Sequence, residues 1–295
     1  MTNIDQRSGV IWHNGTFVEW KDAKIHILTH GLHYGSSVFE GQRAYNGHIF
    51  KLEEHTKRLR FSAITLGFDL PYTDAELNEA CKEVIRSNSI TDGYMRPVAW
   101  RGSEQLSVAS GHNTIHVAIA AWEWPSYFSP EAKAKGLKLA WSNWERPSPK
   151  SAPVHAKAAG LYMICTLAKD KAMKEGYDDA LMLDYRGYVA ECTGANIFFF
   201  THDGELHTPQ ADCFLNGITR RTVMQIARDK GINVVERHIR PEELGDFKEV
   251  FITGSAAEVT PIGEIADLKY TPGAATFDIM NTYMALVRGE LKAAA

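Results

Sequence analysis

The 295-residue chain is short of several things, and each shortage removes a class of function. Its four cysteines, Cys81, Cys165, Cys192 and Cys213, lie far apart and form no C-x-x-C pair. That argues against a zinc ribbon or a dithiol motif and points to packed, free thiols in a reducing cytoplasm. No stretch approaches the roughly 20 apolar residues that span a bilayer. The opening Met1-Thr2-Asn3-Ile4-Asp5-Gln6-Arg7 carries no apolar signal core. No run of Lys or Arg builds a basic arm, and a net charge of -4 gives no field toward nucleic acid or an anionic membrane. A G-x-S-x-G elbow, a Walker loop and a G-x-G-x-x-G opening a helix are all missing. His26, His30 and His33 are near neighbours without the acid or thiol partners a metal site needs, so no metal is expected.

What is present is an ordinary globular balance, 44% hydrophobic and 23% charged, in a length that suits one large domain or two of common size. Asn14-Gly15 and Asn46-Gly47 each separate two short apolar, β-branched or aromatic runs, the signature of a tight hairpin. Near-helical spacing from Leu52 to Leu66 stops at Gly67, and Thr73 with Glu76 forms a capping box for a helix through Ile85. Strands are expected over 94–100, 114–122, 179–183, 188–191, 196–200 and 250–252, and helices over 156–174, 219–229 and 278–291, with 137–141 starting the second half. Together these predict an α+β fold of two domains, a small one over 1–124 and a large one over 137–295, joined by a linker at 125–136. A cleft between domains is a common ligand site.

Six segments carry chemistry. In Ser151-Ala152-Pro153-Val154-His155-Ala156-Lys157-Ala158-Ala159-Gly160 one lysine sits among small residues. A crowded, dry amine has a lowered pKa and attacks aldehydes, although a surface lysine on an Ala-rich helix accounts for the same letters. Gly217-Ile218-Thr219 opens a helix, where free N–H groups bind phosphate or merely await an ordinary cap. Gly254-Ser255-Ala256-Ala257-Glu258 reads as a second anion cup or a plain turn. Glu191 ends a strand, placed to hold a ring nitrogen protonated or simply exposed. Arg96, within an apolar strand beside Tyr94, needs either a salt bridge or a substrate carboxylate, and Arg58 lies on an amphipathic helix.

Taken in order, the pieces resemble the class IV aminotransferases, and within them the branched-chain amino acid aminotransferases, over roughly Ile11 to Leu286. The most specific stretches are His30-Gly31-Leu32-His33-Tyr34-Gly35-Ser36-Ser37-Val38-Phe39-Glu40-Gly41-Gln42-Arg43, Tyr94-Met95-Arg96-Pro97, Ala156-Lys157-Ala158-Ala159-Gly160-Leu161-Tyr162, Asn216-Gly217-Ile218-Thr219-Arg220 and Gly254-Ser255-Ala256-Ala257-Glu258-Val259-Thr260-Pro261. The resemblance implies the fold-type IV (D-amino acid aminotransferase-like) architecture of pyridoxal 5'-phosphate enzymes, with the cofactor in the interdomain cleft. It makes Lys157 the Schiff-base lysine, Tyr162 the partner of the cofactor's phenolic oxygen and Glu191 that of its ring nitrogen. Arg58, Gly217, Ile218, Thr219 and Ser255 would grip the phosphate. Tyr94 with the backbone at Ser255 and Ala256 would hold the α-carboxylate, and Arg96 and Tyr34, with Arg43 nearby, would meet the side-chain carboxylate of glutamate. Phe39, Trp124 and Tyr127 would wall the aliphatic pocket.

The implied reaction is ping-pong transamination between leucine, isoleucine or valine and 2-oxoglutarate, by a homodimer or higher homo-oligomer in the cytoplasm, with amino acids and 2-oxo acids as its only partners. Two departures loosen the substrate assignment: Ala195 stands where many members carry Glu, and Leu106-Ser107-Val108 replaces a common Met-Gly pair. The same fold also carries D-amino acid aminotransferases, (R)-amine aminotransferases and an aminodeoxychorismate lyase. The combination of Arg96, Tyr94 and Arg43 favours the branched-chain alternative.

Overall fold

Asn14 and Asn46 both adopt left-handed backbone, at φ 49° and 50°, each followed by a glycine at positive φ. Both turns are therefore of the primed kind that matches strand twist. The first joins β1 (Val10–His13) to β2 (Thr16–Glu19). A short helix α1 (His30–Tyr34) and strand β3 (Ser37–Phe39) follow, and the second turn joins β4 (Gln42–Tyr45) to β5 (His48–Ile49). Helices α2 (Leu52–Thr65) and α3 (Asp74–Ser87) precede the long hairpin β6 (Gly93–Arg101) and β7 (Ile115–Glu123). The α3 capping box forms as the sequence predicts, with Thr73 Oγ1 accepting from Glu76 N and Glu76 Oε2 accepting from Thr73 N.

The computed structural model describes residues 3–124 and 129–291. Its contacts divide the chain into two units, Met1–Pro125 with Ala156–Gly160, and Ser126–His155 with Leu161–Ala295. In the first, a seven-stranded antiparallel sheet runs β2-β1-β7-β6-β4-β5, and β3 pairs β6 beyond β4. Helices α2 and α3 cover it, burying Leu59, Ala63, Leu77 and Val84 against Val38, Met95 and Ile119. The buried stripe of α2 also carries polar residues, among them His55 and Ser62. Polar groups on such a stripe need partners, and both find them at the site below.

The second unit contains α4 (Pro130–Lys135), β8 (Leu137–Trp141), α5 (Tyr162–Lys174), β9 (Asp179–Leu183), β10 (Val189–Cys192), β11 (Asn196–Phe200), β12 (Leu206–Pro209), α6 (Ile218–Asp229), β13 (Val234–Arg237), β14 (Glu249–Gly254), β15 (Glu258–Ile265), β16 (Leu268–Lys269) and α7 (Ala274–Val287). Its nine-stranded sheet is mixed: β8 lies parallel to β9 and to β15, β12 parallel to β13, and the other pairs are antiparallel. A core of Leu137, Leu139, Ile197, Phe199, Val250 and Ile262 sits on it. The expected linker holds α4, which packs against β15.

One expected helix is corrected. Residues 156–158 are not helical: a short 3-10 turn, Ala159–Leu161, comes first, and α5 begins only at Tyr162. The alanines favour a helix, but pairing with β3 overrides that preference. Val38 bridges Ala158, Phe39 N donates to Lys157 O at 3.1 Å, and Lys157 N donates to Ser62 Oγ at 2.9 Å. The last helix also starts earlier than predicted, at Ala274, and strands β12, β13 and much of β15 have no clear sequence signal.

Candidate active site

Extended backbone at Lys157 turns its side chain toward a cluster of charges in the first unit. Glu40, directly after β3, is 0% exposed. Arg58 on α2 grips it with two parallel bonds, Nε to Oε1 at 2.6 Å and Nη2 to Oε2 at 2.8 Å. His55, one turn earlier on the same face, meets Oε2 through Nδ1 at 2.6 Å. Burial alone would raise the Glu40 carboxyl, but the Arg58 guanidinium and His55 outweigh it and hold the group well below the usual carboxylate range. Burial likewise pushes His55 down, against the pull of Glu40. Lys157 feels both sides of this cluster. Desolvation and the Arg58 cation bring its amine from 10.5 down to about 8, with Glu40 opposing them. Its Nζ lies 4.8 Å from the centroid of the Phe39 ring.

Phe39 also carries Arg96, whose guanidinium carbon lies 4.6 Å from the same centroid. Alternation along β6 puts Tyr94 and Arg96 on one face, and Arg96 Nη2 donates to the Tyr94 hydroxyl at 2.9 Å. The salt bridge that would explain Arg96 structurally does not form: no carboxylate among the described residues pairs with it, and its buried Nε meets no acceptor among them. The guanidinium is therefore available to a ligand's carboxylate. Trp124 packs its ring 5.6 Å from Tyr94, and Arg43, opposite Tyr94 in the β4–β6 register, is buried with its guanidinium over Tyr45. Tyr34 is exposed, its ring tilted against that of His30 with centroids 4.6 Å apart, and His30 is buried between Ser36 Oγ and Ser107 O. Tyr127 lies outside the described residues. A cavity of about 580 Å³ in this unit runs from Arg96 along Val98, Trp100, Ala118 and Gly160 to Ile25 and Leu32.

The second unit assembles another set. Glu191 is buried on β10, with Arg146 Nε 3.3 Å from its Oε1. Burial opposes the Arg146 charge, but Glu191, Cys165 and Tyr162 around it more than compensate and raise its pKa. Asn196 Nδ2 donates to Glu191 Oε2 and to Leu215 O, each at 3.0 Å, while its Oδ1 accepts from Gly217 N at 3.2 Å. Gly217 is needed there because a Cβ would stand 2.3 Å from Asn196 Oδ1. No side chain caps the helix that starts at Ile218, so its first N–H groups remain turned to whatever anion approaches. Ile218 and Thr219 are buried at that end. Ser255 and Ala256 form the loop of the β14–β15 hairpin, half-buried.

Four site residues escape sequence reading: Glu40, His55, Arg146 and Asn196. The first three signal themselves only through distant partners. Asn196, at a strand start beside Glu191, has a local hint in its neighbour.

The family model for amino-transferase class IV matches residues 37–265. The chain belongs to that family. Among curated relatives, a probable branched-chain-amino-acid aminotransferase of Rickettsia conorii is 46% identical over 265 residues, 90% of each chain. The branched-chain-amino-acid aminotransferase of Pseudomonas aeruginosa is 41% identical over 298 residues, covering 99% of this chain and 97% of that one. A solved T.th. branched-chain amino acid aminotransferase, with pyridoxamine 5'-phosphate, superposes with a TM-score of 0.93 at 41% identity over 97% of this chain and 96% of its own. The fold of this class IV amino-transferase is thus the one the sequence predicts, α+β with two sheets. Among its described residues no helix is long and apolar enough to cross a membrane.

Proposed function

We propose that this chain is a pyridoxal-phosphate-dependent branched-chain amino acid aminotransferase, exchanging amino groups between leucine, isoleucine or valine and 2-oxoglutarate with Lys157 as its catalytic amine. The observation that carries the reading is the Lys157 amine itself, brought to about 8 by burial and Arg58 and set beside Phe39 and Arg96. The names of the relatives and the pyridoxamine 5'-phosphate of the solved T.th. structure support it.

The residues fit the cofactor. The uncapped start of α6, Gly217 to Thr219, and the Ser255 loop offer N–H groups to a phosphate, with Arg58 as the matching cation. Glu191, braced by Arg146 and Asn196, presents a carboxylate to a pyridine nitrogen, and Tyr162 presents a hydroxyl to the phenolic oxygen. Bound pyridoxal phosphate supplies an aldehyde and an electron-accepting ring. Lys157 contributes an amine that is partly neutral near neutral pH, so Nζ can take a proton from the substrate Cα and return it. Tyr94 and the backbone at Ser255 and Ala256 orient the α-carboxylate. Phe39, Trp124 and Tyr127 exclude water from an aliphatic side chain, while Arg96, with Arg43 and Tyr34, receives the second carboxylate of glutamate.

The same proposal includes a 1–124 domain, a 125–136 linker and a 137–295 domain, supported in outline by the two contact units. It includes a homodimer or higher homo-oligomer, because Ile25, Ile27, Leu28 and Leu32 are all exposed in one short stretch, more apolar surface than a lone subunit commonly leaves. A cytoplasmic location suits four buried thiols that form no disulfide.

A panel of L-amino acids, D-amino acids and (R)-amines with 2-oxoglutarate tests the reading. Turnover of L-leucine, L-isoleucine and L-valine is expected. Turnover restricted to D-amino acids or (R)-amines, or pyruvate release without an amino acceptor, overturns it.

A further inference from the structure

The hairpin joining β14 to β15 departs from local rules at one residue. Its three-residue loop, Ser255–Ala257, closes on the pair Gly254 and Glu258. The residue that ends such a loop takes left-handed backbone, a position glycine fills without strain. Here Glu258 fills it, at φ 56°. A long L-residue is disfavoured in that conformation, and a carboxylate with 5% exposure is further disfavoured by lost hydration. Neither penalty helps the turn, which a glycine would make as well.

The Glu258 carboxylate meets Lys133 Nζ at 2.9 Å. Lys133 stands on α4, which packs on β15, and it follows Tyr127 within the segment 125–136. The other side of the loop is also tied: Thr260 Oγ1 donates to Ala257 O at 2.6 Å. A glycine would keep the turn without strain, so what this position gains from Glu258 is its carboxylate and the tie to Lys133. Residues held in such backbone cluster where the neighbouring atoms have a task. The neighbouring atoms are the amides of Ser255 and Ala256.

We propose that Glu258 is a positioning residue: its pairing with Lys133 fixes the Ser255–Ala257 loop and thereby sets how tightly this enzyme holds the substrate's α-carboxylate. The inference rests on the reading of Ser255 and Ala256 as carboxylate-binding backbone. It also makes α4, outside the sequence-derived site, part of substrate recognition.

The test uses the full-length holoenzyme, with Glu258→Gly, Lys133→Met and the double variant. Three readouts are taken: KM and kcat for L-leucine, the dissociation constant of 4-methylvaleric acid by calorimetry, and the thermal midpoint. Glycine suits the turn, so Glu258→Gly is expected to fold. It should raise KM and the 4-methylvaleric acid constant roughly tenfold, with kcat changed by less than about twofold, the pattern of lost ground-state binding. Lys133→Met should move the same two constants in the same direction, and the double variant no further, because the two residues act as one unit. Carboxylate constants within about twofold of wild type in Glu258→Gly overturn the inference, as does a lowered thermal midpoint with KM unmoved. A wild-type holoenzyme that turns over L-leucine yet shows no affinity for 4-methylvaleric acid overturns the carboxylate reading of the loop. That failure is visible before any variant is made.

Discussion

Asn196 binds Glu191 through its amide nitrogen, at 3.0 Å from Oε2, and with its other end it accepts the amide of Gly217. One side chain thus locks the carboxylate of β10 to the first turn of α6. The two features assigned to opposite ends of a cofactor, ring nitrogen and phosphate, are held in fixed register by a residue that contacts neither in its assigned role. Asn196→Ala removes three hydrogen bonds at once, one of them to a charged group. Loss of roughly 1.5–3 kcal/mol of stability in urea unfolding is expected, with cofactor affinity falling alongside. An unchanged unfolding midpoint would show the lock to be inconsequential.

Lys157 gives a pH-dependent prediction whose sign follows from its lowered pKa. In cofactor-free protein the folded amine titrates near 8 and the unfolded one near 10.5. Below 8 both states are protonated and the full penalty for the enclosed ammonium is present. Between 8 and 10.5 the unfolded state binds more protons, so stability rises with pH. Lys157→Met should therefore melt higher than cofactor-free wild type at pH 7, by a margin that shrinks as the pH passes from 8 toward 10.5. Lys157→Ala should lower transamination by at least about 10³-fold, measured with L-leucine and 2-oxoglutarate.

Glu40 is the buried anchor of an ion cluster with Arg58 and His55. Glu40→Gln leaves Arg58 and His55 without their anionic partner, and removing one member of a buried pair costs about 3–5 kcal/mol. The variant is expected to unfold at markedly lower denaturant. Glu40 also favours the charged form of Lys157, so its loss should carry the amine's titration below about 8, readable by the pH dependence of amine modification in the cofactor-free protein.

The thiols should be silent. Cys81, Cys165, Cys192 and Cys213 are buried and form no disulfide. Burial pushes Cys81 up to about 12 and Cys192 well above its ordinary value, and Cys213 reaches about 12 through burial and Asp212. Only the thiolate reacts readily. A disulfide reagent at pH 8 is expected to label none of them within minutes in the native protein and all four after denaturation.

The local features of the fold are legible in the sequence because local rules govern them. Asn-Gly turns need positive φ, and the Thr73 box caps its helix whatever lies beyond. The segment around Lys157 reads as helix because its alanines speak to propensity, while the bonds that straighten it come from Phe39 and Ser62, far away in sequence. Strand β13 escapes for a related reason: it is four residues long and pairs in parallel with β12, so no hairpin turn marks it. At the site, Lys157, Glu191 and the loop at Ser255 can be picked out by residue type and spacing. The partners that tune them, Glu40, His55 and Arg146, lie across the sheet or on another helix, where a linear pattern has nothing to say.

Residues Ala156–Gly160 join the sheet of the N-terminal half although the chain on either side of them belongs to the other half. The polypeptide consequently crosses from one half to the other three times, and no single cut separates them. A split after residue 125 would strand the Lys157 amine on the C-terminal piece while leaving its strand partner, Phe39, and its charged neighbours on the other. Activity from two such fragments would have to await complementation, with Val38 and Ala158 finding each other as the docking step.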